Sequence, residues 1–346
     1  MTNAVSADAS VLATGLTGFI GQRLQRQLAT RTRLIALVRP GRERRAELMP
    51  GVTELGIDLT NTKAWESALA THSPSALILL AGTVRGRTLD DFRPANVAAI
   101  RACVDAVGRL RPAARPRVLL VSSLAASAPA LSHYAASKRE GEAELERLDA
   151  DWSILRPPPV HGPGDAELTD LFRAVRTGLV PRLGPRHQRI PFLHGDDLAL
   201  AICAWLARPA AATQQVDAIH DGTPDGYGWS DIAAQIRGGP APLELPVPRI
   251  LISLLGHGNA ALARLFNYAP MLTPGKAREL CYDGWLCDNA RFTAATDWQP
   301  TLRLADTDRA APAPDGPTDG GAPEETPHKT TEETDPRIDA SSDRNL

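Results

Sequence analysis

The chain is poor in the residues that staple or ligate a fold. Four cysteines, Cys103, Cys203, Cys281 and Cys287, are spread over 346 residues, none in a CxxC pair and none in a His/Cys cluster of zinc spacing. That argues against a disulfide framework and a zinc centre. Free thiols, no metal and a reducing, cytoplasmic setting are the expectation. No apolar run reaches membrane-spanning length, and the best candidate, residues 250–255, stops at Gly256-His257-Gly258. The first ten residues have no basic segment leading into an apolar one, so no secretory leader is expected. Nor is there an excess of one charge that would point to nucleic acid, since the net charge is −2. That charge is unevenly spread. Residues 306–346 carry 11 acidic and 4 basic side chains, a net of −7, which leaves +5 on the rest.

Hydrophobic residues make up 43% of the chain, enough for a sizeable core. Short, continuously apolar segments at 11–13, 34–38, 77–80 and 118–121 alternate with helix-like stretches at 21–29, 97–110 and 134–148. Unbroken apolar strands separated by helices predict a parallel sheet covered on both faces. The expected fold is therefore α/β, a doubly wound parallel sheet of Rossmann type over residues 11–160, after an N-terminal extension at 1–10. Beyond the apolar segment 152–155, Pro157, Pro158, Pro159, Gly162, Pro163 and Gly164 crowd together. Residues 161–305 read as a smaller C-terminal substrate lobe, with a strand and helix at about 188–220 returning to the main domain. Residues 306–346 contain no aromatics, and Ile338 and Leu346 are their only large aliphatics. Such a segment buries too little apolar surface to offset its ordering entropy, so a disordered acidic tail is expected.

The chemistry is carried by three local patterns. Thr14-Gly15-Leu16-Thr17-Gly18-Phe19-Ile20-Gly21 follows a strand and opens a helix. Glycines there let the backbone approach a pyrophosphate, and the helix start offers it free N–H groups and a positive dipole end. The next strand ends Leu37-Val38-Arg39, with Arg42, Arg44 and Arg45 beyond and Glu43 the only nearby acid. An acidic residue at that strand end would suit the ribose of NAD, whereas an arginine suits a 2′-phosphate. Arg39, and secondarily Arg42, thus point to NADP(H) rather than NAD(H). Third, Ser122-Ser123 ends a strand and is followed by Tyr134-Ala135-Ala136-Ser137-Lys138. Tyr and Lys four apart share a helix face. The ammonium is expected to lower the tyrosine pKa and make Tyr134 a general acid/base for an alcohol/ketone pair, with a serine holding the substrate oxygen.

Taken in order, these motifs resemble the extended short-chain dehydrogenase/reductase superfamily, in its NAD-dependent epimerase/dehydratase and 3β-hydroxysteroid dehydrogenase-like branch. The resemblance runs from about residue 11 to about 304. It implies that Gly15, Gly18 and Gly21, with Thr17, Phe19 and Ile20 in the same turn, bind cofactor. It implies further that Asp58-Leu59 touches adenine, that Ala81-Gly82 lies beside the cofactor, and that Asn96 supports the active-site lysine through water. Ser123 matches the catalytic serine position, which gives a catalytic set of Ser123, Tyr134, Lys138 and Asn96. The segment 156–165, RPPPVHGPGD, is similar to one that borders nicotinamide, which brings in Pro157 and Val160; Phe192 to Ala199, FLHGDDLA, is similar to a second family segment. His161 stands where relatives usually have Tyr, and its role is left open. Ile190 occupies a position at which relatives acting on nucleotide sugars often carry Arg, with Arg189 one step away.

The resemblance implies an NADP(H)-dependent oxidoreductase acting on a small-molecule carbonyl or alcohol, with a homodimer as the assembly to test. Leu251, Leu254, Leu255, Leu262, Leu265, Phe266, Tyr268, Met271 and Leu272 make the second lobe apolar, as a pocket for an apolar substrate or as ordinary core. Two alternatives stay open. One is an NAD-dependent sugar-nucleotide epimerase or dehydratase. The other is a non-catalytic cofactor-binding protein, which the Tyr/Lys pair speaks against.

Overall fold

A computed structural model describes residues 10–41, 47–207, 213–237, 243–266, 268, 270, 272–285 and 287–309. The apolar run before the glycines forms β1 (Ser10–Thr14), followed by α1 (Phe19–Leu28), β2 (Arg33–Val38), β3 (Thr53–Gly56), α2 (Thr62–His72) and β4 (Ala76–Leu79). Then α3 (Leu89–Arg93) passes through a π-helical turn, Pro94–Ala98, into α4 (Ala99–Gly108). Next come β5 (Arg117–Val121), α5 (His133–Leu145), β6 (Trp152–Leu155), β7 (Val160–His161), α6 (Thr169–Arg176) and β8 (Leu179–Arg182). The chain continues through β9 (Leu193–His194), α7 (Gly195–Ala207), β10 (Gln215–Asp217), α8 (Trp229–Arg237) and β11 (Leu243–Pro246). It ends its regular structure in α9 (Arg249–Phe266), α10 (Pro274–Leu280) and α11 (Ala290–Thr296).

Seven strands form one parallel sheet in the order β10-β6-β5-β4-β1-β2-β3. Alternate residues of the same strands feed two cores. Leu12, Ile35, Leu77 and Leu120 pack with Trp65 of α2, Val107 of α4 and Leu145 of α5. Val11, Ala36, Ile78 and Leu119 pack with Leu24 of α1 and with Ile202 and Trp205 of α7. This double cover is why the strands read as unbroken apolar runs. The exception is β3, Thr-Glu-Leu-Gly, an edge strand without buried residues and without an apolar run to announce it. Strand order reverses between β1 and β4, and a crevice opens there beyond the carboxyl ends of the strands.

The second lobe has its own core of Phe172, Val180, Phe192, Tyr227, Trp229 and Ile232. Within the stretch near 188–220, α7 packs on the main core and β10 joins the main sheet beside β6. β9 pairs with β7 in a separate two-stranded sheet. The expected start of the tail at Asp306 is corrected. Leu304–Asp306 form a 3-10 turn, Thr307 is buried with its hydroxyl 3.1 Å from His161 Nδ1, and Asp308 pairs with Arg176 at 2.6 Å. Polar residues stay in place here because they complete polar partners on the body. Residues 1–9 and 310–346, which hold the rest of the extension and of the tail, lie outside the described residues.

Candidate active site

The crevice begins with the glycine turn. Gly15 has φ +74°, and a Cβ there would lie 2.7 Å from Ala81 N. Only glycine allows both the left-handed backbone and the close approach of β1 to the end of β4. Gly18 N donates to Gly15 O at 3.0 Å and closes the turn. Gly18 is the N-cap of α1 and supplies no side-chain cap, so the first N–H groups of the helix, those of Phe19 and Ile20 included, are not taken up by a capping side chain. Thr14 Oγ1 accepts from Leu80 N at 3.1 Å and Ala81 N at 3.0 Å, which ties the ends of β1 and β4 together. A Cβ on Gly82 would meet Asn96 Oδ1 at 3.0 Å and Lys138 Nζ at 3.8 Å. This glycine-rich turn under a positive helix end fits a dinucleotide pyrophosphate.

The catalytic candidates converge at the end of β5. Ser132 caps α5 by accepting from Ala135 N at 2.9 Å, and it also donates to Glu279 of α10. Further along the helix Gly141 lets α5 approach the π-helical turn, since a Cβ there would fall on Asn96 O. That approach sets Ser137 Oγ 2.9 Å from Asn96 Nδ2. Lys138 is buried and donates from Nζ to Val121 O at 3.1 Å. Ser123 lies near enough to act on the Tyr134 phenol, and the Tyr134 ring lies 6.0 Å from that of Phe92. Asn96 also accepts from Thr83 N at 2.9 Å and donates to Thr83 O at 3.0 Å. Its direct hydrogen bonds therefore brace the loop after Gly82 and α5. Pro157 O accepts from Leu124 N at 2.8 Å, Val160 opens β7, and the buried Glu142 of α5 holds Arg156 from Oε1 at 2.9 Å. These contacts bring the 156–165 segment alongside α5.

The electrostatics overturn one expectation. Burial pushes the Tyr134 phenol up to about 12, Ser123 opposes it, and Glu279 and Glu167 add to it. Burial also pushes Lys138 down to about 8, against the pull of Glu142. The anticipated lowering of the tyrosine by its lysine is not found: burial dominates the shift of each group, and Lys138 is not among the groups that move the phenol. At neutral pH the site holds a phenol, which is a proton donor.

The candidate adenosine end lies at two strand ends. Parallel pairing of β2 with β3, and the bond from Ile57 N to Val38 O at 2.9 Å, set Arg39 beside Asp58. Asp58 Oδ1 accepts from Thr60 N at 2.9 Å and Thr60 Oγ1 at 2.8 Å. These bonds, and to a lesser extent Arg39, hold its carboxyl below the usual range. Leu59 is buried and accepts from Trp65 Nε1 at 2.8 Å. A small hollow is lined by Thr14, Leu59, Leu79, Ala81 and Ile100. Thr17 lies half-buried in the glycine turn. Arg42, with Arg44 and Arg45, lies outside the described residues.

The structure answers the question of His161. Its ring packs edge-on against His194 at 5.1 Å and Phe192 at 6.2 Å. Burial pushes it down to about 3, so it is a neutral packing residue at physiological pH. Nearby, the buried Arg23 of α1 pairs with Asp196 at 3.0 Å and donates to Pro163 O at 2.6 Å, linking the glycine-turn helix to the second lobe. Arg23, Phe92 and Glu279 bear on the site without any local signal in the sequence. The apolar residues expected around a substrate pocket divide differently. Leu251, Leu254, Leu255, Leu262, Phe266 and Tyr268 are exposed, Leu272 is half-buried, and Met271 lies outside the described residues.

Comparison with known proteins gives concordant results. The model of the NAD dependent epimerase/dehydratase family matches residues 11–218. A ceramide reductase of Caulobacter vibrioides is 34% identical over 298 residues, covering 83% of this chain and 89% of the relative. Among solved structures, the Bordetella bronchiseptica enzyme WbmH in complex with NAD+ superposes with a TM-score of 0.64 at 16% identity, over 86% of this chain and 95% of that one. UDP-glucuronic acid 4-epimerase from Bacillus cereus, in complex with UDP-glucuronic acid and NAD, superposes with a TM-score of 0.62 at 17% identity, over 86% and 96%. The two structural likenesses bear on the fold.

Proposed function

The chain belongs to the NAD dependent epimerase/dehydratase family, within the extended short-chain dehydrogenase/reductase superfamily, and is an NAD(P)-dependent enzyme; on that premise we propose that it reduces a ketone on a ceramide-type lipid with NADP(H). The observation that carries this reading is the grouping at the end of β5, where Tyr134 and the buried Lys138 stand one turn apart on α5, Ser123 acts on the Tyr134 phenol, and Lys138 donates from Nζ to Val121 O at 3.1 Å. Hydride for the carbonyl carbon would come from a nicotinamide bound in this crevice. Tyr134 gives its proton to the carbonyl oxygen, and Ser123 holds that oxygen in line. Lys138 spends one N–H on Val121 O and keeps its others for the ribose hydroxyls, while its charge favours the tyrosinate left behind. Asn96 positions this helix through Ser137.

In this reading Gly15, Thr17, Gly18, Phe19 and Ile20 hold the pyrophosphate, Arg39 takes the 2′-phosphate, and Asp58 and Leu59 border adenine. Ala81, Gly82, Pro157 and Val160 flank the nicotinamide side. The lipid assignment follows the ceramide reductase relative, which this chain matches over most of its length. An amide carbonyl is a poor hydride acceptor, so the reducible group is a ketone. Against a nucleotide-sugar substrate, Arg189 is engaged by Asp231 at 2.6 Å, and Ile190 bridges Tyr227 through its backbone.

The test is NADPH consumption by the purified chain with a ketone of a ceramide-type lipid in detergent, beside a UDP-sugar control. Cofactor oxidation with the lipid and none with the sugar is the expected outcome. Conversion of the UDP-sugar without net cofactor oxidation would replace this reading with an epimerase.

A further inference from the structure

The helix α9 has its apolar face turned the wrong way for a core. Ile250, Leu251, Leu254, Leu255, Leu262 and Phe266 are all exposed, between 46% and 72%. At about 100° per residue these positions, with Ala261, fill an arc of about 160° that contains no polar side chain. The opposite side, through Ile252, Gly256 and Ala263, is the buried one. An exposed aliphatic surface of this extent marks an interaction site.

We propose that α9 docks this enzyme onto an anionic lipid surface, lying in the interface with its apolar face among the acyl chains. Three observations favour lipid over a second copy or another protein. The face offers no hydrogen-bonding group within its arc, whereas protein interfaces carry about one hydrogen bond per 100–200 Å². Residues 249–266 contain Arg249, Arg264 and His257 and no acid, which suits anionic headgroups. The helix also leads to the active site. Asn259 Nδ2 donates to Leu272 O at 2.9 Å, and Gly256 lies against the Thr273–Pro274 backbone. The α10 that follows touches the start of the catalytic helix through Arg278 Nε to Leu131 O at 2.7 Å, and through Glu279 to Ser132. No helix among the described residues is long and apolar enough to cross a membrane, so α9 lies on the surface and does not span it. The purpose of docking rests on the lipid-ketone reading above, because such a substrate resides in a bilayer.

The experiment is flotation of the full chain with vesicles of phosphatidylcholine alone or mixed with phosphatidylglycerol. The chain should float with the mixed vesicles and more weakly with phosphatidylcholine alone. A double variant, Leu254→Glu with Leu255→Glu, should lower the partition coefficient by about tenfold or more. Because both side chains are exposed, its melting temperature and its turnover of a short water-soluble ketone should be unchanged. Tyr134→Phe should float like the unaltered chain, which separates docking from catalysis. No flotation with either vesicle, flotation that the double variant retains, or a vesicle-free dimer that the double variant dissociates would overturn docking. Variant-sensitive flotation without reduction of a detergent-dispersed lipid ketone would uphold docking and overturn the catalytic reading.

Discussion

β1 and β4 bury every one of their residues, whereas α9 leaves Ile250 at 72% and Phe266 at 68% exposed. Both regions are rich in Leu, Ile and Ala, yet they are used in opposite ways. In the sheet, alternate residues of each strand serve the two cores, and the glycines and polar groups of the crevice stand at strand ends that this packing holds rigid. In the second lobe a narrow buried strip anchors α9 and the rest faces outward. The candidate site stands where the backbone is most constrained, and the proposed docking face where the chain is least enclosed.

The sharpest break of this contrast comes from the sheet side. Tyr134→Phe keeps the ring against Phe92 and removes the proton donor, so turnover should fall roughly a hundredfold or more with NADPH affinity nearly unchanged. Single-turnover kinetics with the true substrate measure it, and near-normal turnover would remove Tyr134 from the mechanism. Next in size is Arg39→Ala. Loss of a charge-assisted contact to a 2′-phosphate should weaken NADPH roughly ten- to a hundredfold and NADH far less. Titration of both cofactors decides this, and an equal loss for both would leave Arg39 merely a partner of Asp58.

Lys138 sharpens the comparison through pH. Its ammonium is the form that burial disfavours, so the charge is lost as pH rises through about 8. Ketone reduction should therefore be level below that pH and decline above it. Stability should move the other way. Between about 8 and 10.5 the unfolded chain binds the proton that the folded one has released, so folding gains as pH rises through that window. Rate and melting profiles of the same sample test both signs. In Lys138→Arg the residual rate should show no break near 8, because a guanidinium stays charged.

The smallest effect belongs to the far end of the second lobe. Ending the chain after Arg309 should leave the melting temperature unchanged. Ending it after Ala305 should lower it by several degrees, because Thr307 is removed from His161 and Asp308 from Arg176. Equal melting temperatures would show that these contacts add nothing.

The doubly wound sheet, the glycine turn and the Tyr134/Lys138 helix face were legible in the sequence because each is set by neighbours a few residues apart. Unbroken apolar runs follow from double cover, φ > 0 demands glycine, and a four-residue spacing places two side chains on one helix face. Only the tertiary structure decided the rest. β3 was hidden because an edge strand needs no apolar run, and β10 because three residues, Gln-Val-Asp, carry no pattern of their own. The Tyr134 shift depends on enclosure by distant elements and on Glu279 and Glu167, far along the chain. His161 became a packing residue through Phe172, Phe192 and His194, none of them adjacent in sequence. The apolar stripe of α9 is plain in the sequence, but which way it faces is not. Periodicity determines that a helix has an apolar side, and only the packing of α10 and the second lobe determines whether that side is buried.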